Sequence, residues 1–349
     1  MFGGRRRRVM AVIRLAGGIC LLGQAATGQS PPSSRPAQAA IVATVSVDLG
    51  AAEARRQPAK ACLGGSQLLA AISAGPTGAA AWELRCDKVV IGQGMARLDG
   101  MGRGQASVTV PDVLARAEAT FSVMHAGRDG SLRIDILPAA MLRDVRATLR
   151  DRGLGIIDPR GLVQAAMTAQ EVAFTDLGPQ LENDFFRGGI VILAGFEDAN
   201  MLADACRRLA VRVHQGMSLL VLVPPVGWTA LGVRRTELAA LADVHLAKGF
   251  ASTIKEADLG PCRLTGAMTA YANATELIWC YMSGGAMGGG PAARYTLGMA
   301  QPLGKGVVLA ATLPQLADCY ADAVGRCMLS EIMMWILKRS AGPKEHKAT

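Results

Sequence analysis

Four carboxylates and a set of thiols are the groups through which this 349-residue sequence could do chemistry. Glu197 and Asp198 follow an apolar run at 189–195, and Asp158 follows a shorter one at 155–157. Both runs read as buried strands, and ligands favour the C-terminal edge of open α/β sheets. Two carboxylates facing one cleft would suit hydrolysis of a glycosidic or amide bond. The other reading of Glu197 and Asp198 is a first-turn acid and an N-cap for the amphipathic stretch that follows, and it is the favoured one. Asp158 carries the same two readings. Trp228 lies beyond a third apolar run at 218–223. With it the candidate ligand-binding set is Asp158, Glu197, Asp198 and Trp228. Asp243, the fourth carboxylate, stands two residues before His245, so on a helix the two would not face each other. His214 and His245 read as helix-end residues rather than general bases.

The sequence holds eight cysteines, seven of them after residue 28. The pairs Cys62–Cys86, Cys262–Cys280 and Cys319–Cys327 are the candidate disulfides, and an odd count leaves one thiol over. None has the Cys-x-x-Cys spacing of a metal site, so neither a metal nor a cofactor is expected. Cys280, at a strand end, is the candidate reactive thiol. It would need a nearby base and a lowered pKa, and no His follows it before His346. Cys206 sits mid-helix on the apolar side and reads as packing. The Gly-rich stretch at 283–290 precedes a strand and lacks the helix and Lys of a phosphate loop. It reads as a loop over the sheet edge.

The N-terminus sets the expected location. Arg5 to Arg8 precede an apolar stretch at 9–23, and small and polar residues follow, with a cleavage point after Gly28. This is the layout of a secretory signal peptide. A retained anchor is the competing reading, but the stretch is shorter than the roughly 20 residues that span a bilayer. Arg5 to Arg8 and Arg14 carry five of the nine units of formal net charge, +9. The remaining +4 is weak ground for nucleic-acid binding. The expected protein is exported, periplasmic or extracellular, with no transmembrane span in the mature chain.

The elements that would position these residues form two domains. A Pro/Ser linker covers 29–40. Residues 41–138 read as seven short strands between Gly- and Asp-rich turns, the texture of an antiparallel Ig-like β-sandwich. Trp82 suits an inward core position there, and a sugar-stacking platform is its alternative. Residues 139–339 alternate helix and strand. Helices are expected at 141–152, 161–169, 198–215 and 322–339, and parallel strands at 155–157, 172–176, 189–195 and 218–223. Strands at 263–271, 277–282, 293–301 and 306–312 are more antiparallel in character. A basic tail fills 340–349.

Three segments carry a family resemblance: RGGIVILAGFEDANMLADACRRLAVRVHQGMSLLVLVPP at 187–225, ELIWCYMSGG at 276–285, and QPLGKGVVLAATLPQLADCYADAVGRCMLSEIMMWIL at 301–337. The stretch 139–339 resembles the class I glutamine amidotransferase-like superfamily, above all its trehalose-utilisation-like and glycosidase-associated members. The resemblance implies a flavodoxin-like α/β domain with a mainly parallel sheet and an antiparallel extension. Active members place a nucleophilic Cys in a sharp turn after a strand. Here the matching turn reads Pro224-Pro225-Val226-Gly227-Trp228 and carries none. The expected function is therefore an exported, non-catalytic binding or assembly module of the cell envelope that recognises a protein or glycan. The alternatives are a carbohydrate- or amide-directed hydrolase using sheet-edge carboxylates, and a thiol enzyme using Cys280.

Overall fold

The structure is a computed structural model, and it describes residues 42–48, 60–75, 78–139, 141–150, 152–178, 186–270, 273–282, 293–317, 319–320 and 322–340. The expected signal peptide, the Pro/Ser linker, the Gly-rich loop and the tail beyond residue 340 lie outside the described residues. The chain divides into two units between Pro138 and Ala139.

The first unit contains β1 (Val42–Asp48), β2 (Lys60–Leu63), β3 (Gln67–Ser73), β4 (Gly78–Cys86), β5 (Val89–Leu98), β6 (Arg103–Thr109), β7 (Ala117–His125) and β8 (Arg128–Leu137). They form a three-stranded sheet, β1-β3-β6, and a five-stranded sheet, β2-β8-β7-β4-β5. Side chains alternate faces along a strand. Leu68, Ala70 and Ile72 of β3 therefore share one core with Ala80 and Leu84 of β4 and with Phe121 and Val123 of β7. Trp82 packs on this core. Its ring stacks on Phe121 at 5.9 Å and lies across Gly94, where a Cβ would sit 3.0 Å from the indole. Two features depart from the expected antiparallel sandwich. β1 pairs with β3, and β2 with β8, in parallel. β2 was not foreseen, because four residues ending at Gly64-Gly65 are too short to show a period.

The second unit contains α1 (Met141–Leu149), β9 (Leu154–Ile157), α2 (Leu162–Ala169), β10 (Thr175–Asp176), β11 (Ile190–Leu193), α3 (Ala199–His214), β12 (Ser218–Leu222), β13 (Thr229–Ala230), β14 (Val233–Leu246), α4 (Glu256–Leu259), β15 (Pro261–Ala270), β16 (Thr275–Met282), β17 (Ala293–Leu303), β18 (Gly306–Ala311), α5 (Pro314–Ala317) and α6 (Ala323–Ser340). One sheet runs β10-β9-β11-β12-β18-β17-β15-β14-β13. Neighbours from β10 to β18 are parallel. The rest are antiparallel. β16 pairs with both β14 and β17, so β14, β15, β17 and β16 close into a ring. β9, β11 and β12 are buried at every residue, as parallel strands covered on both faces must be.

The helices follow their apolar residues. α3 buries Leu202, Ala205, Cys206, Leu209 and Val213 against the sheet, while Met201 is exposed. In α6 every residue from Ala323 to Met333 is buried, the pattern of a helix covered all round. Its polar residues are accordingly satisfied. Arg326 donates to the carbonyls of Cys319 and Tyr320. Glu331 accepts from Ser252 N at 2.9 Å, Ser252 Oγ at 2.9 Å and Thr253 N at 2.8 Å.

Candidate functional site

The strand order puts β10 on one side of β9 and β11 on the other. The direction of winding thus reverses between β9 and β11, which opens a crevice at their C-terminal ends. A cavity lies there, lined by Asp158 and Arg160 after β9, Gly195 and Phe196 after β11, Val223 after β12, and Leu316 of α5. Its volume is about 60 Å³. Small-molecule sites span about 300–1,000 Å³, so this space suits a few waters.

Asp158 is buried at the cavity wall, and backbone N–H groups hold both of its oxygens. Oδ2 accepts from Val163 N at 2.6 Å and Gln164 N at 3.4 Å, and Oδ1 accepts from Arg160 N at 3.2 Å. The carboxylate therefore ties off the turn into α2 and its first exposed amides. Gly195, at φ +69°, is pressed on it, since a Cβ there would lie 2.3 Å from Asp158 Oδ1.

The turn after β12 is strained one residue earlier than the sequence suggested. Val223 has φ +46°, a costly conformation for a β-branched residue. Its N–H donates to Ala311 O at 2.7 Å. The next carbonyl, of Pro224, accepts from the guanidinium of Arg235. Arg235 is 4% exposed, also donates to Thr265 Oγ1 at 2.8 Å, and has its pKa lowered by burial. A left-handed aliphatic residue thus stands at this sheet edge, and the carbonyl that follows it is held by a buried cation from β14.

The remaining expected residues disperse. Asp198 is the N-cap of α3, accepting from Asn200 N at 2.6 Å and Met201 N at 3.0 Å. Glu197 is exposed beside it. Neither lines the cavity. Trp228 is corrected outright: it is fully buried in the core with Cys206. It turned inward because Trp228 O and N join the pairing with Arg235 and Pro225. All seven described cysteines are free thiols, so none of the three expected disulfides is present. Burial covers six of the seven. It pushes the thiols of Cys62, Cys206 and Cys327 up to about 12. Cys280 is raised first by burial and then by neighbouring Cys262, the opposite of what a nucleophile needs.

His214 does end α3. Asp243 and His245 lie on strand β14 and not on a helix, so their spacing puts them on one face. His245 meets Glu256 at 3.2 Å and Tyr281 edge-on at 5.5 Å. Among the described residues no three His, Cys, Asp or Glu side chains converge as a metal site. No helix among them is long and apolar enough to cross a membrane.

A larger concavity lies on the first unit, over the outer face of β5, β4 and β7. It has a volume of about 580 Å³. Two cross-strand rows build it. Met95, Ala81, Met124 and Asp129 stand side by side, as do Gln93, Glu83 and Ser122. Met95 and Met124 are 64% and 60% exposed, and Ala81 between them forms the floor. Glu83 is held by Arg85 at 2.6 Å. The sequence pointed here only through Trp82, which lies beneath. The alternation of Met95 and Met124 with core residues was the available signal.

No family model matches the chain, and no curated protein matches it. Solved structures resemble it in part. An exo-beta-1,4-mannosidase from Opitutaceae bacterium strain TAV5 is 14% identical, with a TM-score of 0.32, over 54% of this chain and 34% of its own. A sialyltransferase from Photobacterium damsela is 8% identical, with a TM-score of 0.19, over 53% and 37%. A xyloglucanase from Bacteroides ovatus is 12% identical, with a TM-score of 0.20, over 48% and 44%. The chain spans less than half the length of each of these proteins. Likenesses this partial establish neither a fold family nor an activity.

Proposed function

We propose that this chain is an exported, non-catalytic binding or assembly module of the cell envelope, recognising its protein or glycan partner through the groove over β4, β5 and β7. The carrying observation is the contrast in volume, about 580 Å³ in the groove against about 60 Å³ at the sheet edge. Only the first falls in the range of ligand sites. The groove also exposes two methionines, whose flexible thioethers suit adaptable recognition. The amidotransferase-like ancestry of the second unit and the Ig-like character of the first belong to the same proposal. Val223 in the strained turn is consistent with an ancestral elbow that no longer carries a nucleophile. Export rests on the basic and apolar N-terminal segment.

A hydrolase would need two carboxylates facing one cleft. Asp158 and Asp198 are instead held at the starts of two different helices, and only Asp158 lines the cavity. The test is capture from an envelope extract and binding to a glycan array, using protein from residue 29 onward and its Met124→Glu variant. A saturable partner lost in the variant supports the reading. Turnover of a glycan or amide substrate, or a partner indifferent to the variant, refutes it.

A further inference from the structure

The groove is chemically polarised along one row. Met95, Ala81, Met124 and Asp129 are consecutive cross-strand neighbours, and adjacent strands lie ~4.8 Å apart. Ala81 to Asp129 is therefore ~9.6 Å, and the row as a whole ~14 Å. The apolar end is open, because Ala81 projects only a methyl group between two long exposed thioethers. The other end is a carboxylate. Among the described residues, Asp129 has no ion-pair partner. Glu83, in the parallel row, is already held by Arg85. No Lys, Arg or His lines the groove. The nearest cation on the same face of β5 is Arg97, opposite Ala79. It stands at the Met95 corner, ~14 Å across four strands from Asp129, which exceeds the ~8 Å screening length at physiological salt.

We propose that this row takes the lysine side chain of an extended partner segment, with the aliphatic stem over Ala81 and Met124 and the ammonium on Asp129. The inference rests on the binding-module reading and names the chemistry of its partner. Lysine carries an apolar four-carbon stem and a compact cationic head, which matches an apolar floor ending in one carboxylate. Arginine matches less well. Its planar fork favours two-pronged pairing and stacking on an aromatic face. The one indole here lies against Phe121 and Gly94. An acidic or neutral polar side chain would leave Asp129 unpaired and gain nothing from the thioethers. The neighbouring row of Gln93, Glu83 and Ser122 offers amide, carboxylate and hydroxyl groups to the partner's polar atoms.

The test is a titration of the chain, carrying 13C-methyl-methionine, with seven-residue threonine/valine peptides that differ only at the centre. The centre is Lys, Nε-acetyl-lysine, Arg or Glu. Met95→Leu and Met124→Leu spectra assign the two resonances. The expected result is a saturable shift of those two methyls with the Lys peptide. Acetylation should weaken binding about fivefold, the upper range for an exposed ion pair. That difference should vanish in Asp129→Asn, whose groove is otherwise unchanged. Equal affinity of Lys and acetyl-lysine peptides overturns the proposal. So does a preference that survives Asp129→Asn, tighter binding of the Arg peptide, or no shift at millimolar peptide. If these fail while an envelope partner is still captured in a Met124-dependent way, the lysine chemistry is wrong and the binding-module reading stands. If capture fails as well, both fall.

Discussion

Gly195→Ala is the sharpest probe of how the sheet edge is built, because it strikes one contact whose partners and distances are all defined. The new Cβ would lie 2.3 Å from Asp158 Oδ1 and 3.0 Å from Arg160 Cβ. The carboxylate must therefore leave, and with it go the bonds to Val163 N, Gln164 N and Arg160 N. Abandoning buried amide donors costs about 1–3 kcal/mol. The left-handed backbone at φ +69° adds about 1 kcal/mol for any residue with a Cβ. The expected destabilisation is about 2–4 kcal/mol, read from urea unfolding as a lowered midpoint at constant slope. Gly227→Ala is the control. It has φ +83° and nothing within 4 Å of a Cβ. Its backbone cost of about 1 kcal/mol is partly offset by the lost entropy of the unfolded glycine. In a double-mutant cycle, Asp158→Ala should absorb much of the Gly195→Ala cost, because the clashing oxygen is already gone. Equal effects of the two glycine substitutions, or strict additivity with Asp158→Ala, would refute the account.

Three further outcomes follow, two from buried groups and one from a surface pair. Glu331→Ala removes the shared acceptor of three donors of the 252–253 loop at once and should cost about 3 kcal/mol by urea unfolding. Glu331→Gln, which keeps one acceptor, should cost less. Glu256 is held below its usual carboxylate value of 4.5, first by the Leu246 N–H and then by His245. A depressed carboxylate contributes stability that is present above its unfolded pKa and lost as pH falls through the folded value. Stability should therefore decline below about pH 4.5, by under about 1 kcal/mol because the pair is solvent-screened. Glu256→Gln should flatten that decline in urea midpoints measured from pH 3 to 6. Finally, Cys62, Cys206 and Cys327 should stay unlabelled by a thiol-disulfide reagent at pH 8 in the native chain, and all should react in urea. Native labelling of any of the three would contradict their burial.

Some of this was legible from sequence because the pattern was redundant. The apolar run at 189–195 is bounded by glycines and followed by an N-cap residue and spaced apolar side chains. β11, Asp198 and α3 therefore came out within a residue or two of their positions. β14 did not. Its middle, Glu237-Leu238-Ala239-Ala240-Leu241-Ala242, is composed of helix formers. Pairing with β15 along one stretch and β16 along the next overrides that propensity. The error carried with it the positions of Asp243 and His245. Trp228 looked like a loop residue because its neighbours are Pro and Gly, and only the pairing of residues 227–228 with Arg235 turns it into the core. The groove stayed hidden for a different reason. Met95, Ala81, Met124 and Asp129 come from four strands, and no spacing along one chain announces a row across them.

Val223 shows how a strained turn can be held by its frame rather than by its own side chain. A left-handed β-branched residue costs about 1–3 kcal/mol and persists only where its surroundings over-determine it. Those surroundings are all here: the bond to Ala311 at the end of β18, and the buried Arg235 holding the next carbonyl. None of them involves the Val223 side chain. The turn is therefore a property of β12, β14 and β18 together, and a change of side chain leaves it standing. Val223→Gly should accordingly move stability by no more than about 1 kcal/mol. Relief of about 1–2 kcal/mol of strain is offset by about 1 kcal/mol of lost half-buried side chain and about 0.5–1 kcal/mol of glycine entropy. Arg235→Met, which keeps the volume but releases Pro224, should destabilise by about 2 kcal/mol or more, since it leaves a buried carbonyl without its donor. If Val223→Gly proves the costlier of the two in urea unfolding, the side chain rather than the frame holds the turn, and the reading of Val223 as a bystander in that turn fails.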